Sequence, residues 1–537
     1  MQPSLRFSCT FVPFNPRIGY PLPAGRPVWT WEPSEAPYLA IMKKIFLSLL
    51  FVGSVFVVSA HATGKYFVFS GTAKDAYGKA VSLRLQEART ALDGLRSHEP
   101  DNLIPVLIEN YVDFLTVFIN DNKQDYKRLS RNMDARLSKI ARGDRRSPYY
   151  LYCQAEVRLQ WAFLRSRFGD YLSAMSDVKQ AYALLEENQR KFPDFVANKK
   201  SLGIMHALVG NIPEEYRWTL KVLGGMTGTT TQGLQELEEV LEYARHHEFI
   251  FEEEALVAYA FLMAYLNNQV DNGWKTLQNS ALHPRENPLA AYAMAMVAMR
   301  AGKNEEAIAL LREAPTQHQQ CPFWQRDYLL GVAKLRRLDS DANQYLTSFL
   351  QNYRGDNGVK EGYQKMGWYH AIAGNSQGYF EQMESVRQRG DDQTEPDKVA
   401  LREAKTNEMP DQTLLKARLL FDGGYYQRAY DLLKNAAPRY ERDTRLHLEY
   451  HYRLARVYHK MGRTAEAVKA YQQTVEKGEK APWYFACNAA LQLGLLYEEK
   501  RDFQNAAAAF RRCLRIKPEE YAGSLHGQAK AGLGRVQ

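Results

Sequence analysis

The chain has 537 residues, more than one compact core usually organises, and its 45% hydrophobic and 24% charged residues are those of a folded protein. Its formal charge of +9 is dispersed along the chain and makes no basic stripe of the kind that binds nucleic acid. The tightest basic groups are Arg142, Arg145 and Arg146, then Arg511, Arg512, Arg515 and Lys517, and they read as solvated helix ends and faces.

Residues 1–41 are rich in Pro and aromatics and lack periodicity, so they are expected to be a non-native N-terminal extension, with translation starting at Met42. Met42-Lys43-Lys44 is a short positive start, and an apolar run from Ile45 to Val58 follows it. Small residues at Ala60 and Ala62 then precede Thr63. A charged start, an apolar core and a small-x-small site make a secretory signal peptide, which places 42–62 as the signal, cleavage before Thr63, and the mature chain in the periplasm. The apolar run is shorter than the ~20 residues a spanning helix needs. No Cys follows the cleavage site, which disfavours a lipid anchor. Cys153, Cys321, Cys487 and Cys513 are spaced like neither a disulfide framework nor a zinc site. Buried single thiols are the expectation for them, although Cys487 and Cys513 fall on successive predicted helices where a bridge is geometrically possible.

Residues 63–149 read as a helical cap. Leu83 to Leu95 and Leu103 to Ile119 are amphipathic, without a repeat frame. Beyond them a frame recurs in which a small residue is followed by Gly seven residues on and Ala twelve residues on. Its copies are Ala162, Gly169 and Ala174; Ala295, Gly302 and Ala307; Ala417, Gly424 and Ala429; and Ala455, Gly462 and Ala467, the last with Tyr458 and Tyr471 as its large residues. A final copy has Gly494, Tyr497, Ala506, Phe510 and Pro518, with Arg501 at the middle position, so its turn is expected to be made differently. Degenerate copies begin at Gly203 with Gly210, and at Gly367 with Gly374. Small residues let paired helices approach, the middle glycine suits a left-handed turn, large residues fill the space between repeats, and Pro ends the second helix.

This frame resembles the tetratricopeptide repeat, most specifically from Pro410 to Pro518. The mature chain looks like bacterial secreted proteins of that type. Leu223 to Thr231 and Lys360 to Gly374 also resemble a eukaryotic tetratricopeptide group implicated in clearing lipid inclusions. The resemblance implies an all-α fold, an α-solenoid of antiparallel helix pairs in a right-handed superhelix. Degenerate repeats then fill 150–388, the charged, Pro-containing segment 389–412 is a possible hinge, and clear repeats fill 413–537.

Catalytic motifs are not evident. Gly224 to Thr229 is Gly- and Thr-rich but lacks the lysine of a phosphate loop, so it reads as a turn with Thr capping the next helix. His247 and Glu248 begin like a zinc-protease helix, yet Phe251 stands where the second ligand belongs. The sequence implies no cofactor, no metal and no nucleic-acid partner. Tyrosine is abundant, with 33 copies. Most aromatics are expected between repeats, and Trp368, Tyr369, Tyr425 and Tyr426 are candidates to meet a partner on the concave face. The expected role is a non-enzymatic scaffold that binds a protein or peptide in the cell envelope, with no integral membrane segment after cleavage. The alternatives are a glycan-binding outer-membrane protein of the starch-utilisation type and an enzyme whose site is formed only in three dimensions.

Overall fold

The computed structural model describes residues 64–212, 225–316 and 322–537. The expected cleavage residues Ala60, Ala62 and Thr63 lie outside that range, as does Cys321. Among the described residues there is no strand, only one isolated bridge between Tyr66 and Asn102.

Helices pair in sequence order. α1 (Gly71–Val81) packs on α2 (Leu85–His98), and α3 (Ile104–Asn120) lies against both. The short α4 (Lys123–Leu129) and α5 (Asn132–Ile140) lean on α3. Then α6 (Tyr149–Arg167) pairs with α7 (Tyr171–Lys191), and α8 (Val196–Gly210) with α9 (Thr230–His246). α10 (Glu252–Tyr265) pairs with α11 (Val270–Gln278), and α12 (Pro288–Arg300) with α13 (Asn304–Glu313). α14 (Trp324–Arg337) pairs with α15 (Ala342–Asn352), and α16 (Val359–Ile372) with α17 (Ser376–Gln388). α18 (Glu395–Thr406) runs through the 389–412 segment and packs on α16 and α17, with Ala400 and Ala404 fully buried. α19 (Gln412–Asp422) pairs with α20 (Tyr426–Leu433), and the one-turn α21 (Ala437–Tyr440) follows. α22 (Thr444–Lys460) pairs with α23 (Thr464–Gly478), and α24 (Phe485–Glu499) with α25 (Phe503–Arg515). α26 (Ala522–Val536) covers the last pair.

One turn recurs. Eight first helices end in a residue with positive φ: Leu83, Gly169, Gly302, Leu338, Gly374, Gly424, Gly462 and Arg501. In each case the next residue's N–H donates to a carbonyl five residues back. Lys303 reaches Ala298 O at 2.8 Å, Tyr425 reaches Leu420 O at 2.8 Å and Arg463 reaches Tyr458 O at 2.9 Å. This is the Schellman closure, which satisfies orphan carbonyls and reverses the chain. Arg501 corrects one expectation. Its φ is 59°, and Asp502 N donates to Tyr497 O at 2.9 Å, so the last turn is the same turn carried by a residue other than glycine. Leu83 closes the α1/α2 pair in this way too, although the 63–149 sequence shows no frame. Some second helices start on side-chain caps: Asp170, Asn375 and Asp502 accept from Ser173 N, Gly378 N and Asn505 N.

The repeated turns bring distant parts of the chain together, as two of the contacts show. Asp121, fully buried after α3, accepts from Arg167 Nε at 2.5 Å, from Tyr353 Oη at 2.9 Å and from Asn357 Nδ2 at 3.2 Å. Asp356 N donates to the Asp121 carbonyl at 2.8 Å, and Lys123 pairs with Asp391. The α3 end therefore meets chain more than 200 residues later. In the second contact the α12/α13 turn touches the α19/α20 turn, so closely that a Cβ on Gly424 would stand 2.0 Å from Gly302 O.

Two substitutions separate the roles of the turns. Gly424→Ala combines a φ of +83° with that clash, and is expected to lower the chemical-denaturation midpoint by about 2 kcal/mol or more. Arg501→Gly relieves a left-handed arginine in an exposed turn, and should raise stability by roughly 0.5–1 kcal/mol.

Candidate partner-binding surface

The small residues of the frame lie in the helix interfaces. Ala162, Ala295, Ala417 and Ala455 on first helices are buried, as are Ala174, Ala307, Ala429, Ala467 and Ala506 on second helices. Gly494 faces Phe510, whose Cε1 would be 2.5 Å from an added Cβ, and Tyr471 and Phe510 are fully buried between repeats. Tyr458 and Tyr497 pack on the same C-terminal core at its edge. Pro518 follows three residues after α25 ends.

The four candidate aromatics are held by their own chain. Trp368 is 5% exposed, its Nε1 donates to Glu403 Oε1 at 2.7 Å, and its ring has Lys365 Nζ at 4.0 Å and Arg418 Cζ at 4.6 Å from the centroid. Tyr369 Oη donates to Ser340 O at 2.9 Å. Tyr425 Oη donates to Glu305 Oε1 at 2.8 Å and accepts from Asn304 Nδ2 at 3.1 Å, which ties α20 to the distant α13. Tyr426 is half-buried against Phe421.

A different pair of residues presents unused chemistry. Arg418 on α19 and Arg456 on α22 have side chains 34% and 28% exposed. Among the described residues neither guanidinium makes a hydrogen bond. Both share one carboxylate, Asp422, at 3.8 Å from Arg418 Nε and 3.9 Å from Arg456 Nη2. Each lies over an aromatic ring: Arg418 over Trp368, and Arg456 4.0 Å from the Phe421 centroid and 5.7 Å from that of Tyr452. Such stacking holds a guanidinium plane while leaving its N–H edge open. Neighbouring carboxylates are engaged elsewhere. Glu403 accepts from Trp368, Gln364 and Tyr379, and Glu449 pairs with Arg453. Two cations against one loosely placed carboxylate leave a local positive surplus, suited to planar carboxylate or phosphate groups.

The sequence did contain a signal for this pair. Arg418 follows Ala417 and Arg456 follows Ala455, so both occupy the position directly after the first small residue of the frame. Trp368 follows Gly367 in the same register. Residues in one register of a stacked repeat form a row along one face, and Trp368 and Arg418 are in contact in that row.

The motifs weighed for chemistry are occupied structurally. Thr229 Oγ1 accepts from Gln232 N at 3.0 Å and caps α9, while Gly228 packs on the backbone of His206. His246 bonds Glu242, His247 stacks on Tyr243, and Glu248 pairs with Lys74. Among the described residues no group of three or more His, Cys, Asp or Glu is placed to hold a metal ion. A cavity of about 390 Å³ between α7, α8 and α9 is lined by Glu186, Lys199, His206, Gln232, Glu236 and Glu239, and there His206 Nδ1 lies 2.6 Å from Glu236.

A buried ionic cluster lies deeper. Lys200 on α8 contacts Glu156 at 3.4 Å and Glu254 at 3.1 Å, all three side chains being fully enclosed. Burial pulls the Lys200 ammonium down to about 8, with Glu156 opposing the shift, and burial pushes the Glu254 carboxyl well up. Glu156 also accepts from Ser201. The cluster ties α6, α8 and α10 together without an opening to solvent.

Residues 450–519 match the sequence model of the tetratricopeptide repeat family. That stretch is made of tetratricopeptide repeats. Similar solved structures include the tetratricopeptide domain of P58(IPK), 15% identical, covering 77% of this chain and 95% of that one with a TM-score of 0.20. Another is the APC/C hetero-tetramer Cut9–Hcn1, 12% identical, covering 86% of this chain and 99% of that one with a TM-score of 0.22. No curated protein matches the chain. The repeat resemblance thus rests on residues 450–519 and on the turn that recurs along the chain.

The buried cluster sets a contrast. Burial disfavours charge on Glu254, so Glu254→Gln should cost under about 1 kcal/mol, whereas Lys200→Met strips both enclosed carboxyl groups of their ammonium and is expected to cost roughly 3 kcal/mol, both read from denaturation curves.

Proposed function

We propose that this tetratricopeptide protein is a non-enzymatic scaffold that receives an acidic, extended segment of a partner protein along the Trp368–Arg418–Arg456 row. The observation that carries this reading is the pair of part-exposed guanidiniums that lie on aromatic rings and make no hydrogen bond among the described residues. A carboxylate docking between them would complete bidentate bonds already positioned by stacking, so little side-chain entropy is lost on binding. Tetratricopeptide repeats are protein-interaction modules, and the row supplies the charge preference.

The reading includes export. Its support is the charged start at Lys43-Lys44, the apolar run and the Ala60–Ala62 site, which together make a secretory signal that would place the mature chain in the periplasm. Among the described residues no helix is long and apolar enough to cross a membrane.

Fluorescence anisotropy with labelled glutamate-rich peptides tests the row. The full chain is expected to bind acidic peptides in preference to matched basic ones, with affinity falling as salt rises. Arg456→Ala, and separately Arg418→Ala, should weaken binding by about tenfold, the weight of one charged hydrogen-bonded contact. Equal binding by the double variant would remove the row from the function. For export, N-terminal sequencing of protein recovered from a secreting Gram-negative host should begin at Thr63, and an unprocessed chain in the cytoplasm would oppose that part.

A further inference from the structure

The last repeat holds two thiols in contact. Cys487, in the first turn of α24, and Cys513, in the last turn of α25, are both fully buried, with their Sγ atoms 3.5 Å apart. Cys513 Sγ also lies 3.8 Å from Leu525 O of α26, and His526 of α26 bonds Ile516 O at 2.8 Å. The capping helix therefore lies directly over the sulfur pair and brings an imidazole to it. A hydrogen bond from Cys513 and the imidazole of His526 lower the Cys487 thiol from its usual range, while the same contact with Cys487 pushes Cys513 up. One sulfur is thus disposed to act as a thiolate and the other to remain a thiol, the division of roles that thiol–disulfide exchange requires.

The lid over the pair is weakly held. Of its 15 residues only Leu525, Ala529 and Gly532 are buried, it carries four glycines, and Tyr521 enters it with a φ of 61°. A terminal helix with so few buried side chains opens locally at low cost compared with the rest of the fold. Opening admits a reagent to Cys487 without unpairing α24 and α25.

We infer that Cys487 and Cys513 are a redox couple that closes to a disulfide, locking the two helices of the final repeat beneath the capping helix. The co-reactant is an external disulfide, either a small-molecule one or that of a protein oxidant. The Cys487 thiolate attacks one of its sulfurs, whose S–S bond breaks and releases a first thiol, which takes up a proton. Cys513 loses its proton to solvent and attacks the Cys487 sulfur of the mixed disulfide, forming the Cys487–Cys513 bond and releasing the second thiol. Two cysteine thiols are oxidised and one external disulfide is reduced. The inference is independent of the peptide-binding row, which lies on α16, α19 and α22.

The test uses the full chain incubated with oxidised glutathione near neutral pH, alkylated, digested with trypsin and examined by mass spectrometry. A linked species joining the peptide 481–500 to 513–515 should accumulate and disappear with dithiothreitol, and the oxidised chain should have the higher Tm. Cys513→Ala should instead trap glutathione on Cys487, and His526→Ala should move the pH dependence of the reaction upward. Recovery of Cys487 and Cys513 as separate alkylated peptides after prolonged oxidation would overturn the inference. So would a Tm rise on oxidation that survives Cys487→Ser.

Discussion

Eight of the described helix pairs depend on how the first helix stops. A residue in the left-handed region sends the following N–H back to a carbonyl five residues earlier, and the chain leaves antiparallel within about two residues. Only then do the small residues on the two helices face each other. Ala417 and Ala429 share one core cluster, Ala455 and Ala467 another, and Gly494 faces the ring of Phe510, because the turn fixes the register of each hairpin. Each repeat adds a similar rotation, and a stack of similar rotations is a coil. The Asp121 clasp and the Gly302–Gly424 contact are where that coil meets itself, so they report the sum of the turns between them.

Self-contact changes what such a surface can offer. Aromatics that might have stood open on the inner face are instead bonded: Trp368 to Glu403, Tyr369 to Ser340, and Tyr425 to Asn304 and Glu305. Their rings serve as platforms for cations. Arg418 rests on Trp368 and Arg456 on the neighbouring Phe421, so in the proposed function the groups that face a partner are guanidinium edges rather than ring faces. In that proposal recognition rests on charge and planar hydrogen-bond geometry, with aromatic packing as its support.

The fold was legible in the sequence wherever glycine marked the turn. Gly169, Gly302, Gly424 and Gly462 announce it, since no other residue adopts positive φ so cheaply. Leu83, Leu338 and Arg501 hold the same conformation and give no such sign, which hid the α1/α2 and α14/α15 pairs and left the last turn misread. The long-range contacts were not legible at all, because Asp121, Tyr353 and Asn357 come together only after the rotations of the intervening pairs accumulate. The candidate surface was half legible. The repeat frame placed Arg418 and Arg456 in one register, but only the structure shows that, among the described residues, both lack hydrogen bonds while the more conspicuous aromatics beside them do not. Sequence spacing likewise allowed Cys487 and Cys513 to approach, and the helix pairing brings their sulfurs to 3.5 Å.

The central claim is that near-identical turns coil this chain until its early helices touch its middle ones. A zero-length carbodiimide reads that contact directly, since it joins only an ammonium and a carboxylate that already meet. The Lys123–Asp391 pair should give an amide cross-link in the native chain, alongside the Lys199–Glu239 link between the paired α8 and α9. Recovery of the Lys199–Glu239 link with no Lys123–Asp391 link would show that the helices pair but the coil does not close.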